Sequence, residues 1–163
     1  MGVEGGARVA RDVAELISDG GYETVVATRD HHIDPGLHFS DDPDFLDSWP
    51  PHCTAGSTGA NLHEPLTESM FTGIFYKGEY DAGYSGFEAH NGQVLLPDWL
   101  QSRGIQNLDV CGIATDYCVR ATSLDAARDG FNVRVLQDLT AAVADENLPD
   151  LHREFAEAGI TIA

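Results

Sequence analysis

The chain is short of positive charge, and of lysine above all. Nine basic residues stand against 27 acidic ones in 163 positions, which gives a formal net charge of −18 and an isoelectric point near 4.4. Eight of the nine are arginines, and Lys77 is the single lysine. A phosphate backbone needs a Lys/Arg surface to displace its counterions, so this balance argues against nucleic acid as a direct partner. The arginine bias fits a high-salt or GC-rich source. Long apolar runs are also missing. No stretch approaches the roughly 20 residues needed to cross a bilayer, and no basic-then-apolar leader opens the chain, so no membrane association is expected. Cysteine is scarce: Cys53, Cys111 and Cys118 make an odd count without zinc-finger spacing. Free thiols in a reducing compartment follow, and the cytoplasm is the expected location.

What is present is enough for one domain over residues 1–163, with 42% hydrophobic residues to build its core. Val9, Val13, Leu16 and Ile17 form a helical stripe within 5–19, closed by Gly20-Gly21. Short apolar strands are expected at 24–28, 74–76, 108–113 and 133–136, with an edge strand at 160–162. Helices are expected at 93–103, from the segment carrying Cys118 to about 129, and at 149–158. Residues 30–60 lack periodicity, and so long a loop inside a compact domain is usually functional or disordered. Helices alternating with apolar strands predict an α/β fold, a mainly parallel sheet with helices on both faces. Ligands collect beyond the carboxyl ends of such strands.

The strand ends are where the chemistry lies. In LDVCGIATDYCVR, residues 108–120, a strand turns into a helix with Thr115 as a plausible N-cap, which puts Cys118 near unpaired N–H groups and the positive dipole end. Such positions lower a thiol from about 8.5 toward neutrality, and the same N–H groups can hold an oxyanion. A small, inert, buried cysteine would leave the same trace. Lys77 ends another strand, where an ammonium can favour a thiolate, although a surface lysine needs no such role. Asp30, His32, His38 and His52 offer one carboxylate and three imidazoles, a set suited to one divalent ion such as Zn, Fe or Mn. Asp34 and His31 compete for the same role, and solvated loop histidines remain the plain alternative. Trp49, Tyr84 and Phe87 lie in neighbouring loops, to line a pocket or simply to pack.

The segments ATRDHHIDPGLHFS, SWPPHCTAGSTGA, FYKGEYDAGYSGFE and DVCGIATDYCVRAT occur in this order and at suitable spacing. Together they resemble the nicotinamidases, also called pyrazinamidases, of the isochorismatase-like cysteine hydrolase family, from about Gly5 to the C-terminus. The resemblance implies a metal-dependent amidase that cleaves nicotinamide to nicotinate and ammonia, as in NAD salvage. It implies Cys118 as nucleophile, Lys77 as its charged neighbour, and a metal on Asp30, His32, His38 and His52 that binds the pyridine nitrogen. It further implies an oxyanion hole at the N–H groups of Ala114 and Cys118, a cis peptide at Ile113-Ala114, and Trp49, Tyr84, Tyr117 and Ile113 around the ring. One feature departs from the pattern. Family members open on a strand reading roughly V-D-x-Q-N-D-F, whose aspartate is the general base and acid, and no counterpart of it stands here. The first central strand of the sheet is therefore expected to be missing. A start codon placed too late is the favoured explanation, against an inactive metal-binding remnant or a strand supplied by another chain. Another isochorismatase-like amidase is the competing activity, and a homo-oligomer stays open.

Overall fold

The computed structural model describes residues 2–163. Helix α1, Gly6–Ser18, buries Val9, Ala10, Val13 and Ala14 and packs on the second half of the chain. Strand β1, Val26–Asp30, pairs in parallel with β2, Gly73–Lys77, in a register that sets Asp30 opposite Lys77. A hairpin of β3, His90–Asn91, and β4, Val94–Leu95, extends this sheet antiparallel to β2. Its two-residue turn is Gly92-Gln93, with Gly92 at φ 63, the left-handed backbone that such short hairpins demand. Helix α2, Leu96–Ser102, follows directly and carries Pro97 in its first turn, so the helix expected from 93 starts three residues late, behind the hairpin.

Strands β5, Asn107–Ile113, β6, Asn132–Ala141, and β7, Thr161–Ile162, form a second, all-parallel sheet. Between β5 and β6 run a π-helical turn, Thr115–Val119, and helix α3, Arg120–Arg128. Helix α4, Leu148–Glu157, leads into β7. β6 is more than twice its expected length, because residues beyond Leu136 continue past a register shift opposite Val110 and Gly112. Phe75, Ala126, Val135 and Phe155 are fully buried at the centre of a core shared by both sheets.

The mainly parallel α/β character agrees with expectation, but the strands divide into two sheets. β1 and β5 are each an edge, and no described strand pairs with their outer sides. Side chains bridge the division instead. The Tyr22 hydroxyl, just before β1, donates to Asp109 on β5, and Gly86 N–H donates to Thr122 Oγ1 on α3 at 2.8 Å.

Candidate active site

The loop after β1 folds on itself. Isolated parallel bridges join His32 to Thr54 and Phe39 to Trp49. Backbone hydrogen bonds run from His32 N–H to Cys53 O at 3.1 Å, from Ala55 N–H to His32 O at 2.8 Å and from Trp49 N–H to His38 O at 2.8 Å. Much of the loop's order thus comes from its own backbone. The consequence is that His32, His38 and His52 meet, with one ligand atom from each lying within 4.8 Å of the others.

Their hydrogen bonds sort the ring nitrogens. Nδ1 of His32 faces Gly78 O, that of His38 faces Asp47 O at 3.2 Å, and that of His52 faces Pro50 O at 2.9 Å. A carbonyl can only accept, so each Nδ1 carries the proton and each Nε2 keeps a free lone pair. His32 Nε2 is buried without a hydrogen-bond partner among the described residues. Burial lowers the His32 and His38 pKa values, which favours the neutral, ligating form. An orphaned buried nitrogen beside two more imidazoles of the same tautomer fits a divalent cation. Asp30 lies outside this cluster: its Oδ1 is ion-paired with Lys77. Neither Asp34 nor His31 joins it, and His31 contacts Glu79.

Lys77 is only 4% exposed at the end of β2. Its Nζ donates to Asp30 Oδ1, to Gly83 O at 2.9 Å and to Cys118 Sγ at 3.4 Å. Gly83 comes this close because it lacks a Cβ, which would stand 2.5 Å from the Gly78 backbone, and because its φ is 53. Burial works against the ammonium, but Cys118 and Asp30 outweigh it and hold the Lys77 pKa above its ordinary value. Lys77 is charged.

Cys118 sits within the π-helical turn. The cap is Ala114, in extended conformation after a cis Ile113-Ala114 peptide, and Thr115 is already helical and buried. The expected depression of the thiol is not found. Burial raises the Cys118 pKa, while Lys77 and a backbone hydrogen bond from Ala114 only partly oppose it. Asp116 takes no part in this cluster and instead anchors the chain, accepting from Val143 N–H at 2.9 Å and Ala144 N–H at 3.0 Å.

Aromatic rings connect the two clusters. Tyr84 packs on His38 at 5.6 Å and on Tyr117 at 5.4 Å between centroids, and Trp49 lies edge-on to Tyr117 at 5.2 Å. Trp49 Nε1 donates to the Tyr84 hydroxyl at 3.0 Å. Phe87 belongs to the core, and Ile113 lies over Gly6 at the start of α1. Sequence reasoning missed Phe45, which packs on Trp49 with its φ at 58. The acidic turn preceding it, Asp41-Asp42-Pro43-Asp44, was the available signal.

Residues 3–162 match the isochorismatase domain. The chain belongs to that family. Among isochorismatase-family relatives, the nicotinamidase/pyrazinamidase of Mycobacterium tuberculosis is 47% identical over 99% of this chain and 88% of its own. PnC1 of L. infantum, solved in complex with nicotinate, superposes with a TM-score of 0.86 at 34% identity, over 99% of this chain and 81% of that one. The pyrazinamidase of Pyrococcus horikoshii, solved in complex with zinc, gives a TM-score of 0.81 at 32% identity, over 99% and 87% of the two chains.

Proposed function

We propose that the protein is a nicotinamidase, hydrolysing nicotinamide and pyrazinamide to the acid and ammonia. The observation that carries this reading is the juxtaposition of a thiol, a buried ammonium and an imidazole cluster along one aromatic wall. The 47% identity to the M. tuberculosis enzyme over nearly the whole chain supports it. A role in NAD salvage within the cytoplasm follows from that activity. No described helix is long and apolar enough to cross a membrane.

Cys118 Sγ attacks the amide carbon, a sulfur–carbon bond forms, and the carbon–nitrogen bond then breaks to leave a thioester. The thiol proton ends on the departing ammonia, and Asp30 and Lys77 are the groups beside the sulfur through which it can pass. Water then splits the thioester, releasing the carboxylic acid and restoring the thiol. Lys77 offsets negative charge as the sulfur becomes nucleophilic, and the N–H groups of Ala114 and Cys118 serve the oxyanion. Trp49, Tyr84 and Tyr117 hold the pyridine ring. His32, His38 and His52 would hold a divalent ion, with Asp30 the nearby carboxylate. When bound, that ion supplies a ligand position for the pyridine nitrogen, fixing the amide over the sulfur by orientation.

Substrate profiling tests the reading. Nicotinamide and pyrazinamide are turned over and benzamide, which lacks the ring nitrogen, is poor; a chelator abolishes the difference. Equal turnover of benzamide, indifferent to chelator, would favour a general amidase of the same family.

A further inference from the structure

Phe45 adopts φ 58, a left-handed backbone that bulky side chains rarely take and that must be held by its surroundings. The holding group is Asp44. One of its carboxylate oxygens, Oδ1, accepts from Leu46 N–H at 3.0 Å, Asp47 N–H at 3.0 Å, Ser48 N–H at 2.9 Å and Ser48 Oγ at 2.9 Å. These bonds keep the carboxyl well below the usual carboxylate range, so it stays ionised as the hub of the turn. Fixed in this way, Phe45 reaches two aromatic residues of the candidate site. Its ring packs edge-on to Trp49 at 5.9 Å, and its carbonyl accepts from the Tyr117 hydroxyl at 3.4 Å. Trp49 comes from the loop after β1 and Tyr117 from the turn that carries Cys118. Phe45 therefore ties two independently supported walls together while remaining 54% exposed itself, whereas Trp49 beneath it is only 4% exposed.

We propose that Phe45 is a positioning residue that fixes Trp49 and Tyr117 against one another, and so shapes the aromatic surface that meets the ring of an amide substrate. This rests on the nicotinamidase reading. The strain is retained because a residue without a side chain would take the same backbone at no penalty yet could not cover the indole. The role acts on ring binding, so its loss appears in KM and in selectivity, with the chemical step at Cys118 left intact.

The test uses Phe45→Gly, whose backbone suits φ 58, together with Asp44→Ala and its conservative counterpart Asp44→Asn, which keeps an accepting oxygen. Phe45→Gly and Asp44→Ala raise KM for nicotinamide about tenfold with kcat nearly unchanged. They also narrow the preference for nicotinamide over a bulkier ring-substituted nicotinamide, and Asp44→Asn recovers most of the loss. In protein labelled with 5-fluorotryptophan, the Trp49 resonance moves in Asp44→Ala, and the Trp99 resonance stays. Unchanged KM and selectivity in Phe45→Gly would overturn the proposal. So would a stationary Trp49 resonance in Asp44→Ala, and that outcome can be read whether or not nicotinamide is hydrolysed. Failure of the unmodified protein to release ammonia from nicotinamide would defeat the functional reading alone.

Discussion

Lys77 Nζ lies 3.4 Å from Cys118 Sγ and is at the same time ion-paired with Asp30. The thiol thus sees a cation whose charge is already shared. Burial raises the Cys118 pKa most, Lys77 opposes it by lowering the value, and Asp30 adds to the rise. The two substitutions should act with opposite sign on the pH dependence of alkylation by iodoacetamide in metal-free protein. Lys77→Gln moves the midpoint up and slows alkylation at pH 8 about tenfold, whereas Asp30→Asn moves it down. Lys77→Arg, which keeps the charge, stays near the unmodified protein. Midpoints that do not respond would remove Lys77 from the chemistry.

The three imidazoles should bind a divalent cation in the neutral form. Their carbonyl partners at Gly78, Asp47 and Pro50 hold the Nδ1 protons, and His32 Nε2 has no hydrogen-bond partner among the described residues. Replacing His38 or His52 by alanine should weaken zinc binding by at least about a hundredfold, read by chelator competition. The pKa values of His32 and His38 are lowered by burial. The folded protein therefore binds fewer protons than the unfolded chain below about pH 6.5, and stability should fall on acidification through that window. Zinc should raise the melting temperature at pH 7.5 and lose this effect toward pH 5. A pH-independent zinc shift would contradict a histidine site.

How far the sequence disclosed this arrangement depends on the range of the contact. Asp30, Lys77 and Cys118 could be placed at strand ends from local patterning, but the register that sets Asp30 opposite Lys77 joins strands separated by the whole irregular loop. Convergence of the histidines was legible as chemistry, while the bridges that produce it carry no periodic signal. The Gly92-Gln93 hairpin turn was not read, because Val94 and Leu95 merge with the apolar pattern of the following helix and hid it. The sulfur's surroundings were misjudged for a different reason. A position at a helix start says nothing of burial, and burial is the larger effect on the Cys118 pKa.

Among the described residues no backbone hydrogen bond joins the two sheets, which gives the Tyr22 hydroxyl weight as a side-chain bridge. It donates to Asp109, which also accepts from Arg134 at 2.8 Å. Tyr22→Phe should cost roughly 1 kcal/mol and lower the melting temperature by about 3 °C. Zinc affinity should not change. Arg134, then Tyr22, depress the Asp109 pKa. That stabilisation is present above about pH 4 and is lost as pH falls through the lower folded value, so Asp109→Asn should flatten the acid limb of the stability curve. A melting temperature unmoved by Tyr22→Phe would show that the bridge holds nothing.

The most direct measurement is ammonia release from nicotinamide by the zinc-loaded protein beside its Cys118→Ser counterpart at matched zinc content. Cysteine-dependent release, with the serine form at least about a thousandfold slower and equally stable to heat, is the predicted result. Release that persists undiminished in Cys118→Ser, or no release from either form, would contradict the assignment of this sulfur as the nucleophile.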